Sequence, residues 1–431
     1  MNKSIILIIL ILSASTGVQL KAEDVTFRAS APNAVVIGTQ FQLVFEVNVL
    51  NGTDLRLPPS ITENFDNLMG PSVSTSQSFQ TVNNKTTSKN TVTYTYIFAA
   101  KKEGTFTVDP ATINVGNAEY KSNALTIKVL PPDKAAQAQG GGAQQQNDGG
   151  ASAASISNDN IFMRMIVSNR NVYEQEGFLV SFKLYTTLNI EGINNPKFPE
   201  FEGFFSQEIE LKDVQWELEN YNGRNYNTAV MKQVILYPQR SGQIKIGSAK
   251  VDAIVRVRNR ARGGGFFEDF FDTYQRVSKE LVSSAATIDV KPLPSGKPAS
   301  FSGAVGDYTM SSTISRTELK ANEAITIKII FKGNGNIKLL KNPEIKFPND
   351  FEPYDPKVDY STKVAASGVS GTKTIEYMAI PRYAGDFEIP AVGFSYFDTK
   401  SGAYKSLSTE TYNIHVEKGE GESDAPVMSN Y

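Results

Sequence analysis

The chain has 431 residues, a length that suits three domains of ordinary size better than one. Its formal net charge is −2, so the sequence lacks the overall basic character of a nucleic-acid-binding protein. It contains no cysteine, which excludes a disulfide framework, a thiolate metal site, a cysteine nucleophile and an acylated lipoprotein cysteine.

The N-terminal segment has the pattern of an export signal. Lys3 supplies the positive charge, and an unbroken run of Ile and Leu follows from Ile5 to Leu12. A bilayer-spanning helix needs about 20 apolar residues, so this shorter run predicts a cleaved signal peptide over residues 1–22. Ala22 is a suitable last residue of the signal, and cleavage between Ala14 and Gly17 is the alternative.

Three segments then share an alternating pattern that is typical of half-buried antiparallel strands. The residues on the apolar face are Phe41, Leu43, Phe45 and Val47 in the first segment, Phe178, Val180, Phe182 and Leu184 in the second, and Ile325, Ile327, Ile329 and Phe331 in the third. The opposite face carries polar residues such as Gln42, Ser181 and Lys328. An apolar residue lies six positions before each strand: Val35, Val172 and Leu319.

The three repeats also end alike. A long strand leads into a turn with glycine, at Gly104, Gly242 and Gly385, where glycine predicts a backbone with positive φ. Closing strands follow at 124–129, 285–290 and 411–416. Strands separated by turns, without a long helical period, predict an all-β chain of three tandem immunoglobulin-like β-sandwich modules.

The composition between the repeats sets the predicted boundaries. We expect sandwich modules over residues 23–132, 158–294 and 295–418, a flexible Gln/Gly/Ala linker over 133–157 and a disordered tail over 419–431. The junction at 291–298 is rich in proline and should be stiffer than the linker. The second and third modules should therefore hold a more fixed relation than the first and second.

Residue types suited to catalysis are scarce. His415 is the only histidine, and it alternates with Ile414 and Val416 on the closing strand, which predicts a surface histidine. One histidine and no cysteine cannot assemble the usual zinc ligand sets, and a Ser-His-Asp triad would need this same histidine. We therefore expect no enzymatic activity, no metal site and no cofactor.

Two acidic stretches and one glycine-containing stretch have ordinary structural explanations. The segment 200–210 holds carboxylates that a glycosidase could use, but nothing around them predicts a pocket. GNGNIKLL (333–340) lacks the third glycine and the helix of a phosphate-binding loop. A proline-broken stretch predicts a solvated loop rather than a calcium site; its carboxylates are Asp350, Glu352, Asp355 and Asp359.

One segment of the second repeat combines charge with aromatic rings. A strand that begins at Val251 presents Arg256, Arg258, Arg260 and Arg262 on one face, and after three glycines come Phe266, Phe267, Phe270 and Phe271. Four arginines on one face repel each other, and exposed rings cost free energy in water. These eight residues are our candidate site for an acidic, partly apolar protein partner. The alternatives are a cluster packed on its own sandwich and a contact with a membrane surface.

Longer stretches of the sequence resemble a known family. The segments RASAPNAVVIGTQFQLVFEV (28–47), PLPSGKPASFSGAVGDYTMSSTISRTELKANEAITIKI (292–329) and GNGNIKLLKNPEIKFPNDFEPYDPKV (333–358) resemble the BatD family of the bacterial aerotolerance, or oxygen tolerance, operon. The likeness extends over nearly the whole mature chain, and FSGAVGDY (301–308) is its most specific part.

The resemblance implies a periplasmic protein that works beside membrane proteins with von Willebrand A domains. It implies a complex linked to tolerance of oxygen or envelope stress, and it carries over no catalytic residue. Family members usually have a transmembrane helix after these modules. The sequence to Tyr431 contains no such segment, so we expect its association with the inner membrane to be indirect.

The leading hypothesis is a non-enzymatic, periplasmic interaction scaffold whose partners are envelope proteins. A carbohydrate-binding or adhesin-like surface protein is the alternative, because Tyr221 and Tyr226, beside the Asn222-Gly223 turn, could stack on sugars. The only tryptophan, Trp216, adds little to that alternative. A carboxylate-dependent hydrolase is a third hypothesis, with the least support from residue types.

Overall fold

The computed structural model of the chain describes residues 25–82, 85–133, 156–258 and 274–419. Within these ranges the fold consists of 31 strands, one α-helix at Pro59–Asn64 and one short 3-10 helix at Ile337–Leu339. The all-β fold predicted from the sequence is confirmed. The predicted signal peptide, and nearly all of the predicted linker and tail, lie outside the described residues.

The first repeat contains strands β1 to β10. Their bounds are Phe27–Ser30, Ala34–Val36, Gln40–Val47, Gly52–Arg56, Phe65–Val82, Lys85–Ala100, Gly104–Val108, Thr112–Val115, Ala118–Lys121 and Leu125–Leu130.

The second repeat contains strands β11 to β21. Their bounds are Ile161–Val167, Asn171–Tyr173, Phe178–Thr186, Ile190–Lys197, Phe204–Ile209, Trp216–Tyr221, Arg224–Pro238, Gly242–Ile246, Lys250–Arg258, Tyr274–Val282 and Ala286–Lys291.

The third repeat contains strands β22 to β31. Their bounds are Phe301–Ile314, Glu318–Lys320, Ile325–Gly335, Phe351–Pro353, Lys357–Ala365, Gly368–Pro381, Gly385–Ile389, Gly393–Asp398, Ala403–Ser408 and Tyr412–Glu417.

The same three-stranded sheet occurs in each repeat. The strand orders are β2-β10-β7, β12-β21-β18 and β23-β31-β28. In each sheet the central strand is the last strand of the repeat: β10, β21 or β31. It pairs in parallel with β2, β12 or β23 and antiparallel with β7, β18 or β28. The strands β2, β12 and β23 contain the apolar residues that precede the alternating strands in the sequence, Val35, Val172 and Leu319. Each of these residues lies in the early strand that pairs with the last strand of its repeat, which explains why an apolar residue recurs at this position.

The turn glycines behave as predicted. Gly104, Gly242 and Gly385 begin β7, β18 and β28 with φ of 142°, 94° and 158°. A residue with a Cβ would be strained at these angles, which explains why glycine recurs at the same point of each repeat. The predicted closing strands are also confirmed, each displaced by one residue from its predicted bounds.

A larger sheet packs against each small one to enclose a core. The orders are β1-β3-β6-β5, β11-β13-β17-β15 and β25-β27-β24-β22-β29-β30, and two further small sheets have the orders β4-β8-β9 and β14-β19-β20. The alternating strands of the sequence are β3, β13 and β24, and every residue predicted on their apolar faces is buried. Two sheets around a shared core make each repeat a sandwich.

One position departs from the predicted alternation. Ser181 of β13 was expected to face solvent, but it is buried and accepts a hydrogen bond from Nε2 of Gln233 at 2.9 Å. The reason is that the outer face of this sheet is itself covered. Ile235 and Tyr237 lie on the same face of the neighbouring strand β17, and both belong to the core of the third repeat.

Buried residues of the second repeat therefore form part of the core of the third. The chain divides into two compact units, Met1–Gln145 with Leu218–Asn225 and Gln146–Glu217 with Tyr226–Tyr431, and the second unit contains both of these cores. The ring of Tyr173 also meets the ring of Phe397 edge-on, with centroids 5.0 Å apart. This contact supports the fixed relation expected from the stiff junction, whereas the boundaries of three separate modules stay a prediction.

Candidate functional site

The structure describes the start of the predicted arginine and phenylalanine segment. Arg256 lies on the exposed side of β19, whose other side buries Val251, Ala253, Val255 and Val257 as predicted. Arg258 is the last residue of β19. The other six residues of the predicted site lie outside the described residues: Arg260, Arg262, Phe266, Phe267, Phe270 and Phe271. Their role as a partner-binding site stays a prediction.

A carboxylate lies beside the described arginines of this sheet. Arg256 stands opposite Arg276 of β20. Glu191 of β14 places Oε1 3.8 Å from Nε of Arg256 and Oε2 2.5 Å from Nε of Arg276. The expected repulsion between arginines is therefore offset at Arg256, because a negative charge lies close to it. The side chain of Arg276 is 79% exposed, so its ion pair contributes little to stability.

The rings considered for sugar binding differ in exposure. Tyr226 is buried, with its ring edge-on to Phe162 at a centroid distance of 5.2 Å. Its hydroxyl donates to the carbonyl of Asp159 at 3.1 Å. The prediction that Tyr226 is exposed is wrong, because its face of the strand is covered by other aromatic residues. Tyr221 is half-buried, and Trp216 is 46% exposed.

The proline-broken acidic stretch is not simply the solvated loop predicted from the sequence. Glu352 lies in β25 and pairs with Arg382, whereas Asp359 lies in β26 and is 3.5 Å from Nζ of Lys357. The prolines that indicated a loop fall at strand ends, where a missing N–H is tolerated. In the described ranges, no group of three or more His, Asp or Glu side chains is placed to hold a metal ion.

His415 lies on the exposed side of β31, as predicted, while Ile414 and Val416 are buried. Its Nδ1 is 2.6 Å from Oδ1 of Asp386 on the neighbouring strand β28. This hydrogen bond raises the pKa of the His415 imidazole above its ordinary value. Both side chains are largely exposed, so the pair is a surface contact between adjacent strands.

The segment FSGAVGDY (301–308) builds a different kind of site. It forms the start of β22, and Asn336 follows the facing strand β24. Asn336 is fully buried. Its Oδ1 accepts from the N–H of Val305 at 2.9 Å and from the hydroxyl of Tyr308 at 3.0 Å, and its Nδ2 donates to the carbonyl of Gly303 at 2.8 Å. One side chain thus satisfies three polar groups of the segment, two of them on the buried residues Val305 and Tyr308.

The same amide reaches the second repeat. Nδ2 of Asn336 donates to Oε1 of Gln175 at 3.3 Å, and the hydroxyl of Tyr237 donates to the carbonyl of Gly335 at 3.0 Å. Burial raises the pKa of Tyr237 and of Tyr308 well above the ordinary value, so both phenols remain neutral donors. Buried polar groups are costly when unpaired, so these bonds hold the two repeats in one arrangement. We call this set of residues the Asn336 junction.

Glycines let β22 and β24 approach closely at the junction. Gly306 stands opposite Gly335, with φ of 142° and 154°. A Cβ on Gly306 would lie 2.2 Å from the carbonyl oxygen of Asn334, and a Cβ on Gly333 would lie 2.2 Å from that of Asp307. No side chain fits at either position. Sequence reasoning treated GNGN as an incomplete phosphate loop and missed this role, although the repeated glycines were the signal.

A cavity of about 260 Å³ adjoins the Asn336 junction. Glu176 and Tyr237 line it from the second repeat, and Val305 and Gly335 line it from the third. The carboxylate of Glu176 accepts the N–H of Tyr173 at 2.8 Å, and burial raises the pKa of this carboxyl. The volume is below the roughly 300 Å³ at which ordinary ligand pockets begin. The cavity is therefore better explained by imperfect packing between repeats than by a substrate site.

A buried lysine supports the segment that follows Asn336. Lys373 of β27 lies on the same face as buried Ile375, and its Nζ donates to the carbonyl of Leu340 just after the 3-10 helix. The Nζ also lies 5.5 Å from the centre of the Tyr360 ring. Burial lowers the pKa of Lys373 to about 8. The signal for this residue in the sequence is a lysine at an apolar position of an alternating strand, between Gly371 and Ile375.

The sequence can now be compared with known families. The profile of the family described as "BatD DUF11 like domain" matches residues 28–129 and 312–416. The chain belongs to the BatD family. The two BatD regions fall in the first and third repeats, and FSGAVGDY lies just before the second region. Among curated proteins, no sequence matches this BatD chain. In the ranges that the structure describes, none of its helices has the length and apolar character needed to cross a membrane.

Solved structures with some similarity to this BatD chain include two bacterial surface proteins. The C-terminal domain of the Streptococcus agalactiae AgI/II polypeptide BspA is 7% identical and has a TM-score of 0.15, and the comparison covers 62% of this chain and 99% of that one. The Yersinia pseudotuberculosis adhesin InvE is 16% identical and has a TM-score of 0.19, with 60% and 61% covered. Scores this low support no argument on function.

Removal of the Asn336 side chain tests the junction. Asn336→Ala removes the acceptor of the Val305 N–H and the donor to the Gly303 carbonyl, and it leaves the Tyr308 hydroxyl only its longer bond to the carbonyl of Val305 at 3.3 Å. We expect the free energy of unfolding to fall by about 3 kcal/mol, measured by urea denaturation. Asn413→Ala, at an exposed asparagine of β31, is the matched control and should change it little. An Asn336→Ala variant as stable as the wild type would contradict the role given to this amide.

The pKa of Lys373 predicts a dependence of stability on pH. The folded pKa of about 8 lies below the ordinary value of 10.5, so between these values the unfolded chain binds the proton that the folded chain has released. The free energy of unfolding should therefore rise by about 2 kcal/mol between pH 8 and pH 10 through this residue. Lys373→Met should flatten that rise, whereas Lys332→Met, at an exposed lysine of β24, should keep it. Parallel pH profiles for wild type and Lys373→Met, measured by urea unfolding, would show the assignment to be wrong.

Proposed function

We propose that this BatD-family chain is a non-enzymatic interaction scaffold of the periplasm. Its partners are envelope proteins, among them membrane proteins with von Willebrand A domains, in a complex that serves tolerance of oxygen or envelope stress. Membership of the BatD family supports this proposal, because the family resemblance implies membrane partners and an operon linked to oxygen tolerance and carries over no catalytic residue. The proposal involves no nucleic acid and no cofactor.

Export and location belong to the same proposal. The signal pattern of residues 1–22, with Lys3 before the run from Ile5 to Leu12, supports export from the cytoplasm. An association with the inner membrane would then be indirect, through the membrane proteins that the scaffold binds. Fractionation of cells that express the full chain, followed by mass spectrometry of its N-terminus, examines this part separately.

The observation that carries the interaction role is the exposed arginine side of the sheet β14-β19-β20. Arg276 is largely exposed, and the alternation of the sequence continues from Arg256 to Arg258, in the direction of the predicted aromatic residues that begin at Phe266. Exposed guanidinium groups attract an acidic surface from a distance and pair with it on contact. The buried face of this sheet packs in the core of the second repeat, and this firm support lowers the entropy lost on binding.

Variants of the arginine and phenylalanine segment test the proposal. The double variant Phe267→Ala/Phe271→Ala should weaken partner binding by about 2 kcal/mol, or roughly 30-fold in Kd, because rings of this kind anchor interfaces. Arg258→Glu should mainly slow association, and more so at low salt, because it reverses an attracting charge. The measurement is a binding titration with the von Willebrand A protein that co-purifies from the native envelope, beside a thermal melt.

The control is an arginine on another part of the chain. Arg316→Glu removes an exposed guanidinium that pairs with Glu323 at 3.2 Å, and it should leave the affinity unchanged. If the double alanine variant melts at a lower temperature but binds equally well, the rings belong to the core of the second repeat and not to a binding site. Binding to a glycan array without any protein partner would replace the scaffold proposal with the carbohydrate-binding one.

A further inference from the structure

Two strands of the first repeat run beyond the sheet that contains them. β5 and β6 pair along their whole length, from Phe65 opposite Ala100 to Val82 opposite Lys85. β3 pairs with β6 only as far as Val92. Beyond that point, among the described strands, residues 76–82 and 85–91 pair only with each other. At about 3.4 Å per residue, this two-stranded arm projects by roughly 25 Å.

The outer edge of this arm lacks the features that protect exposed strand edges. β5 is the last strand in the order β1-β3-β6-β5. Its residues 72–82, SVSTSQSFQTV, contain no proline, no glycine and no charged side chain. Natural edge strands usually carry charges, prolines or bulges that prevent pairing with another chain. The inner part of β5 has such features, with Pro71 and two register shifts before Ser72, but they stop where the arm begins.

Two other long edge strands, β20 and β26, carry charges along their length. β20 is at the edge of the sheet β14-β19-β20, and β26 pairs only with β27 in the described part of the third repeat. The charged residues of these two strands are Arg276, Lys279 and Glu280 in β20, and Lys357, Asp359 and Lys363 in β26. The neutral edge of β5 is therefore a local property and does not reflect the composition of the chain as a whole.

We propose that residues 72–82 of β5 pair antiparallel with the same residues of a second copy of this chain. Two copies related by a two-fold axis would then form one continuous sheet across the contact. This inference stands apart from the scaffold proposal, since it concerns the first repeat and uses none of the arginine or phenylalanine residues.

Charge favours a second copy over a different partner strand. A charged strand pairs with its own copy at a cost, because like charges come to lie opposite each other. The edge of β5 is neutral, so it pairs with itself without that cost, and it offers no opposite charge to an acidic or basic partner. Lys85 and Lys89 lie on β6, on the far side of the arm from the new contact.

Stability and burial favour the pairing as well. A two-stranded ribbon alone is marginally stable in water, and a sheet of four strands supplies the missing neighbours. Val73 of β5 is 55% exposed. It lies at the base of the arm, within the proposed pairing segment, where a second copy of the strand would cover part of its apolar surface.

Charge variants of the edge give the test. In sedimentation velocity at tens of micromolar, the full mature chain should sediment as a dimer. Ser74→Lys/Ser76→Lys should weaken the dimer by about tenfold or more, and Ser74→Glu/Ser76→Glu should do the same, because each places like charges together. A mixture of the two variants should restore dimers. Ser361→Lys, on the exposed strand β26, is the control and should leave the dimer intact.

The absence of native cysteine allows a second measurement on the same edge. Gln77→Cys should form a covalent dimer on mild oxidation, whereas Ser361→Cys should remain monomeric on a non-reducing gel. The substituted side chains are exposed, so thermal melts of all variants should match the wild type. A wild-type chain that stays monomeric would overturn the proposal. So would a dimer that both charge variants leave unchanged, because it would form through another surface.

Discussion

The buried amide of Asn336 is the interaction on which the arrangement of the second and third repeats depends. It is fully buried, and its hydrogen bonds reach Gly303, Val305 and Tyr308 in one repeat and Gln175 in the other. A buried amide with several partners has one geometry that satisfies them all. The two repeats therefore cannot shift against each other without leaving polar groups unpaired, which costs more than most surface contacts contribute.

The surroundings of Asn336 are organised to hold that geometry. Gly306 and Gly333 let the backbones of β22 and β24 come close, and Lys373 holds the carbonyl of Leu340 on the far side of the same segment. Ile235 and Tyr237 extend the apolar core of the third repeat into the second. Polar bonds fix the position, whereas apolar burial supplies the larger part of the free energy. In the scaffold role that we propose, such a joint would present the surfaces of both repeats at a constant distance and angle.

Much of the fold could be predicted because its determinants are local. The alternation from Phe41 to Val47 marks a half-buried strand whatever its partner is, and a turn glycine such as Gly242 reports its own backbone angle. The junction could not be predicted in the same way. Asn336 lies 161 residues from Gln175, and nothing in GNGN indicates that a distant repeat will bury it. The burial of Tyr226 could not be predicted for the same reason, because the rings of Phe162 and Tyr185 that cover it are distant in the sequence. The candidate arginine site could be predicted in part. The alternation of the strand placed Arg256 on the exposed face correctly, but it could not predict Glu191, which approaches Arg256 from another strand.

The Asn336 junction should make the second and third repeats move as one body. Pulsed electron spin resonance measures this directly, because the chain has no native cysteine to interfere with paired labels. Labels at Lys245→Cys and Lys363→Cys, both exposed and in different repeats, report the distance between them. We expect a single narrow distance distribution in solution. A broad or multiple distribution, from a protein with unchanged thermal stability, would contradict it.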